Sequence, residues 1–162
     1  IEDNLKVKLI STLSRACGWD GMVEGQILDI SDHSHFSLKE LDSMHIKKTG
    51  NLIIACLKMG GMVSGLQKPE INLLKQLGEK IGLAFQIRDD IIDLESPQEV
   101  SGKAQGSDLV KEKLTYPSLI GIMASQERAF ELAEEAKEFA KKLPGDSNNL
   151  IKLCNFIVQR DY

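Results

Sequence analysis

The sequence predicts an all-α domain. Three observations carry that prediction. No stretch alternates apolar and polar residues with the period of two that a half-buried strand requires. Apolar residues instead return every three to four positions, segment after segment. Glycines, prolines and capping residues separate those segments. At 162 residues the chain makes one domain or a large part of one. A chain of that size can bury on the order of 70% of its unfolded surface.

Residues 5–17 read as a helix, with Leu5, Leu9, Leu13 and Ala16 on one stripe and Gly18 and Gly21 ending it. A short helix follows over 21–30, where Gln26 and Asp29 share a face, and then a polar loop over 31–37. That loop holds His33 and His35 without Cys or Glu at ligand spacing, so a solvated loop is the better reading than a metal site. Ser37 and Glu40 form a capping box that opens the next helix. Its stripe runs Leu41, His45, Lys48, Leu52, Cys56 and Met59, and Thr49-Gly50 predicts a kink. Lys48 is out of place on an apolar stripe. Either it snorkels to water or it points into a cavity that holds an anion.

Lys68-Pro69-Glu70 starts a long helix, apolar nearly all round, of the kind that lies inside a bundle. Ser96-Pro97 ends it, and a polar loop with Lys103, Asp108, Lys111 and Lys113 follows. Thr115-Tyr116-Pro117 caps a short helix through Met123. Residues 126–143 are amphipathic, with Ala129, Ala133, Ala136 and Ala140 inside. A turn at Pro144-Gly145-Asp146 leads to a last helix over 149–160.

The net charge of -4 and an aromatic fraction of 5% argue against nucleic acid as a partner. No apolar run reaches membrane-spanning length, because Lys58, Lys75 and Lys80 interrupt the candidates. Cys17, Cys56 and Cys154 are far apart and read as reduced core thiols of a cytoplasmic protein.

The long helix ends in Phe85-Gln86-Ile87-Arg88-Asp89-Asp90-Ile91-Ile92-Asp93. Gln86, Asp89 or Asp90, and Asp93 recur at helical spacing and share a face. Gly78 and Gly82 lie on the same face, where a backbone or a ligand could approach closely. Two carboxylates about 6 Å apart repel by roughly 3 kcal/mol at an effective dielectric of ~20, against about 0.7 in water. On an apolar helix, raised pKa values or a bound cation must offset that cost. Oxygen ligands alone favour Mg2+ or Ca2+, and the spacing does not fit an EF-hand loop. Mg2+ held by a few carboxylates completes its shell with water and a substrate phosphate. A charged helix end facing solvent is the bland reading of the same residues.

Gly25-Gln26-Ile27-Leu28-Asp29, Lys48-Thr49-Gly50, Phe85-Gln86 with Asp89-Asp90-Ile91-Ile92-Asp93, Gly102-Lys103, Gly106, Asp108, Lys113 and Tyr116-Pro117 occur in one order. That series resembles the C-terminal half of the short-chain trans-polyprenyl diphosphate synthases, with the bacterial farnesyl-forming geranyltranstransferases nearest in look. The similarity spans roughly residues 5 to 160. It implies part of an isoprenoid-synthase-type helical bundle around a central cavity, and a Mg2+-dependent prenyltransferase. In that family an allylic diphosphate ionises and isopentenyl diphosphate attacks the carbocation, geranyl to farnesyl in the branch named. Asp89 would be a direct Mg2+ ligand, with Asp90 and Asp93 acting directly or through water. Lys48 and Lys103 would bind the allylic diphosphate. Thr49 and Gln86 would turn oxygen dipoles toward the carbocation, and Phe85 would line the isopentenyl pocket. Asp108, Lys113 and Arg160 would belong to the closure loop and the tail.

The family's first aspartate-rich motif and most of its isopentenyl site have no counterpart in these residues. With Ile1 rather than Met at the start, the expectation is that residues 1–162 are the C-terminal portion of the synthase domain. The chain alone is then expected to be inactive. The whole enzyme would be a homodimer, and the truncated bundle would expose an apolar face. The alternative is a non-catalytic or regulatory subunit of a heteromeric prenyl synthase. A terpene cyclase fits less well, because Lys48-Thr49 and Lys103 match chain elongation better.

Overall fold

The computed structural model describes residues 1–31, 36–95 and 114–161. Among the described residues there are helices and no strands: α1 (Asp3–Cys17), a first π turn (Trp19–Val23), α2 (Glu24–Ile30), α3 (Leu38–His45), a second π turn (Ile46–Gly50), α4 (Asn51–Val63), α5 (Lys68–Glu95), α6 (Tyr116–Ile120), α7 (Ile122–Lys141) and α8 (Asn148–Gln159). The helical fold class holds, and the predicted elements appear close to their expected places.

The capping box forms as the sequence predicts. The Ser37 N–H donates to the Glu40 carboxylate at 2.7 Å, and the Glu40 N–H donates to the Ser37 hydroxyl. At Thr49-Gly50 the chain passes through the second π turn, which joins α3 to α4 with helical backbone angles at both caps. One boundary moves. The short helix ends at Ile120, because Gly121 takes φ 85°, and α7 begins at once at Ile122. A left-handed glycine cannot continue the helix, and it lets the chain turn within one residue.

α5 is the axis of the domain. α3, the second π turn and α4 run antiparallel to it on one side, and α7 and α8 cover another. The register of that pairing is legible in three close approaches. His45 meets Asp90, Gly50 lies against Gly82, and Ile54 lies against Gly78. A Cβ on Gly82 would sit 2.8 Å from the Gly50 Cα, and one on Gly78 would sit 3.0 Å from the Ile54 Cα. The two glycines therefore serve the approach of a backbone. Leu77, Ile81, Ala84, Ile87 and Ile91 of α5 form the core with Leu41, Met44, Leu132, Cys154 and the four alanines of α7. The small α7 residues let that helix lie close to α5.

Two expectations about burial change. Of the three cysteines only Cys154 is in the core; Cys56 is exposed and Cys17 lies between. Of the stripe on α1 only Ala16 is buried, and Leu13 is 42% exposed. α1 packs on α4 by one side. Val7, Ile10, Trp19 and Ile30 are largely exposed.

Candidate functional site

The three aspartates of α5 separate into two kinds. At 3.6 residues per turn each step rotates the helix by about 100°. Asp89 and Asp93, four residues apart, therefore project within about 40° of one another, and Asp90 is turned away. Asp93 is exposed and Asp89 is partly exposed, while Asp90 is buried. The sequence left open whether Asp89 or Asp90 pairs with Asp93 on the shared face, and the structure pairs Asp89 with it.

Asp89 is the best connected of the outward groups. Gln86 Nε2 donates to its Oδ2 at 3.0 Å, and the Arg160 guanidinium pairs with its Oδ1. Arg160 also stacks over the Phe85 ring, 4.0 Å from the centroid, and donates to the Phe85 carbonyl at 3.3 Å. Arg88 holds the chain end in place. Its Nε donates to the Arg160 carbonyl at 2.9 Å, and it pairs with Asp161 at 3.3 Å. Thus Arg160, 71 residues from Asp89 in sequence, is brought onto the aspartate helix together with Phe85 and Gln86.

Lys48 and Thr49 sit on the second π turn. The antiparallel register, with Gly50 against Gly82 and His45 against Asp90, sets them at about the level of Gln86. Lys48 is turned toward α2. It is half-buried, and its Nζ donates to Asp29 of α2 at 2.7 Å. Lys47 makes a parallel bridge to Glu24 at 2.5 Å. Gly25, between those two acids, is what permits the contact, since a Cβ there would lie 2.2 Å from the Lys48 nitrogen. The Gly-Gln-x-x-Asp segment and the Lys-Thr-Gly segment are thus one packed unit. Lys103, Asp108 and Lys113, as well as His33 and His35, lie outside the described residues.

Sequence reasoning passed over a second polar cluster behind the aspartates. Tyr116, the first residue of α6, donates its backbone N–H to Asp90 at 3.0 Å and its hydroxyl to Asp42 of α3. His45 Nε2 lies 3.3 Å from the same Asp90 oxygen, and its ring stacks on Tyr116. Burial, and then the bond to Asp42, push the Tyr116 hydroxyl well above the usual phenol range. The available signal was His45 on a largely apolar stripe, because a buried imidazole needs a hydrogen-bond partner.

Among the described residues no group of three or more His, Cys, Asp or Glu side chains is assembled for a metal. The donor chemistry nonetheless suits a hard cation. Asp89 and Asp93 offer carboxylate oxygen alone and leave most of a coordination shell to water and ligand, as Mg2+ prefers. No described helix is long and apolar enough to cross a membrane.

The fold is all-helical, and its central helix turns Asp89 and Asp93 outward, with Arg160 paired to Asp89. The chain belongs to the polyprenyl synthetase family, whose pattern it matches over residues 2–152. It is 40% identical over 158 residues to the farnesyl diphosphate synthase of Micrococcus luteus, covering 97% of this chain and 54% of that protein. It is 38% identical over 160 residues to the geranylgeranyl diphosphate synthase of Cyanophora paradoxa, covering 98% and 53%. Among solved structures it resembles an FPP/GFPP synthase from Zymomonas mobilis, with a TM-score of 0.81, 29% identity and coverage of 96% and 52%. It also resembles a geranyltransferase from Helicobacter pylori complexed with magnesium and isoprenyl diphosphate, with a TM-score of 0.78, 33% identity and coverage of 98% and 52%. The chain spans about half the length of each of these relatives.

Proposed function

We propose that these residues are the C-terminal portion of a Mg2+-dependent prenyltransferase that joins isopentenyl diphosphate to an allylic diphosphate, geranyl to farnesyl. The observation that carries this reading is the outward pair Asp89 and Asp93 beside Gln86, Phe85 and Arg160, in a chain of this family. Asp89 and Asp93 would hold Mg2+. Once bound, the metal supplies positive charge to the departing diphosphate.

The other roles belong to the chain itself. Lys48 exchanges Asp29 for the allylic diphosphate, a carboxylate and a phosphate being alternative anions for one ammonium. Lys103 and Lys113 add charge to the same group. Thr49 and Gln86 turn their oxygens toward the carbocation. Phe85 lines the isopentenyl pocket, and Arg160, stacked above it, binds the second diphosphate. The helix core behind them excludes water that would quench the cation.

The whole enzyme works as a homodimer, and residues 1–162 alone do not turn over substrate, since one aspartate pair makes half a metal cage. The test measures incorporation of radiolabelled isopentenyl diphosphate into geranyl and farnesyl acceptors by the chain alone, and with the missing half of a family member supplied in trans. Activity only in the mixture, lost on Asp89→Asn, is the expected result. Turnover by the chain alone would refute the fragment reading. Binding to a complete synthase that alters its product without needing Asp89 would favour the subunit reading.

A further inference from the structure

We infer that Asp90 is a positioning residue and not a metal ligand: it clasps α3 and α6 to α5 and so holds Asp89 and Asp93 outward. The inference rests on the metal-binding reading proposed above. Asp90 and His45 are both more than nine-tenths buried. One oxygen, Oδ2, takes the Tyr116 N–H at 3.0 Å and His45 Nε2 at 3.3 Å. His45 Nδ1 is buried without a partner, so the ring's polar tie is Nε2, which carries the proton and donates it to Asp90. The Tyr116 ring stacks on the imidazole at 6.0 Å and 17°, and its hydroxyl returns to Asp42, three residues before His45. The cluster is a closed circuit through α3, α5 and α6.

A circuit of this kind sets the rotation of α5. With Asp90 drawn inward by two donors on two neighbouring elements, Asp89 and Asp93 are turned outward, where Asp89 meets Gln86 and Arg160. Turning Asp90 outward to a metal would leave the Tyr116 N–H and the His45 N–H buried without acceptors. Buried donors seldom go unpaired in folded proteins.

A ligand must be a carboxylate, whereas the clasp needs an acceptor of the same shape. Asparagine keeps the acceptor and removes the charge; alanine removes both. The experiment titrates Mn2+ into the chain by electron paramagnetic resonance, with and without inorganic pyrophosphate, for wild type and for Asp89→Asn, Asp90→Asn and Asp90→Ala. Circular dichroism checks that each variant is folded. Asp89→Asn is expected to weaken Mn2+ binding tenfold or more. Asp90→Asn should stay within about threefold of wild type, and Asp90→Ala should weaken binding about tenfold although no ligand is lost. His45→Gln, whose amide can still donate, should bind as wild type does, and His45→Leu should not.

Asp90→Asn as weak as Asp89→Asn would overturn the proposal, because Asp90 would then be a ligand. Asp90→Ala equal to wild type would overturn it as well, because nothing would depend on the clasp. If Asp90→Ala does not fold, the asparagine and His45→Gln arms decide. Failure of the wild-type chain to bind Mn2+ under either condition would overturn the metal reading itself and this role with it. Loss confined to Asp90→Asn would overturn the role alone.

Discussion

Gly25→Ala should destabilise the chain although it replaces a helical glycine. By propensity alone alanine gains about 0.5–1 kcal/mol over glycine within a helix. At Gly25 the added Cβ would lie 2.2 Å from the Lys48 nitrogen and 2.5 Å from its Cα. Ordinary contact begins near 3.5 Å, so α2 and the second π turn would have to part by about 1 Å. Overpacking typically costs about 1–3 kcal/mol. The atoms struck here are backbone, which cannot swing aside, so the upper end applies and a net loss of about 2 kcal/mol follows. The same opening stretches Lys48–Asp29 and Lys47–Glu24, the bridges on either side. Gly60→Ala is the control, because its Cβ, in the last turn of α4, would meet nothing within 4 Å. Followed by circular dichroism at 222 nm, Gly25→Ala should lose about 4–8 °C in Tm and Gly60→Ala should gain about 1–4 °C. If both variants are stabilised, the close approach of α2 to Lys48 does not exist.

Arg160→Ala should raise the affinity of the chain for Mn2+ about two- to fivefold without pyrophosphate, because a competing cation leaves Asp89; with pyrophosphate the sign should reverse. An unchanged affinity in both titrations would refute the pairing. Tyr116 should ionise late. Its folded pKa lies above the unfolded value of 10.0, chiefly through burial, so above pH 10 the unfolded state releases a proton that the native state keeps. Stability is therefore level below pH 10 and falls as pH rises past it, and Tyr116→Phe should flatten that fall in urea melts at pH 9–11. Thiol labelling of the native chain should modify Cys56 within minutes and spare Cys154, whose thiol is pushed up by burial among α5, α7 and α8. Rapid modification of Cys154 would mean that α8 is not docked.

The helices themselves were legible because each follows from local chemistry. Ser37 and Glu40 cap one another within a single turn, and the alanines of α7 repeat at the helical period. The aspartate cluster also stood out, since carboxylates on an apolar helix demand compensation. Two features were less visible. Cys56 belongs to the predicted stripe yet is exposed, because the π turn between α3 and α4 spreads its hydrogen bonds over one more residue and so shifts the phase of the stripe beyond it. Gly121 ends α6 early, and no period marks where one short helix stops and the next begins.

By itself, then, the sequence determined the all-helical class, the order of the helices and the place of the aspartate cluster on the central helix, because period, capping and charge act over a few residues. The tertiary structure decided which aspartate faces in, that Lys48 rests on Asp29, and that Arg160 reaches Asp89 across 71 residues. Those outcomes depend on the rotation of α5 against its neighbours. That rotation is set by contacts such as Gly82 with Gly50 and Asp90 with His45 and Tyr116, whose partners no local pattern names.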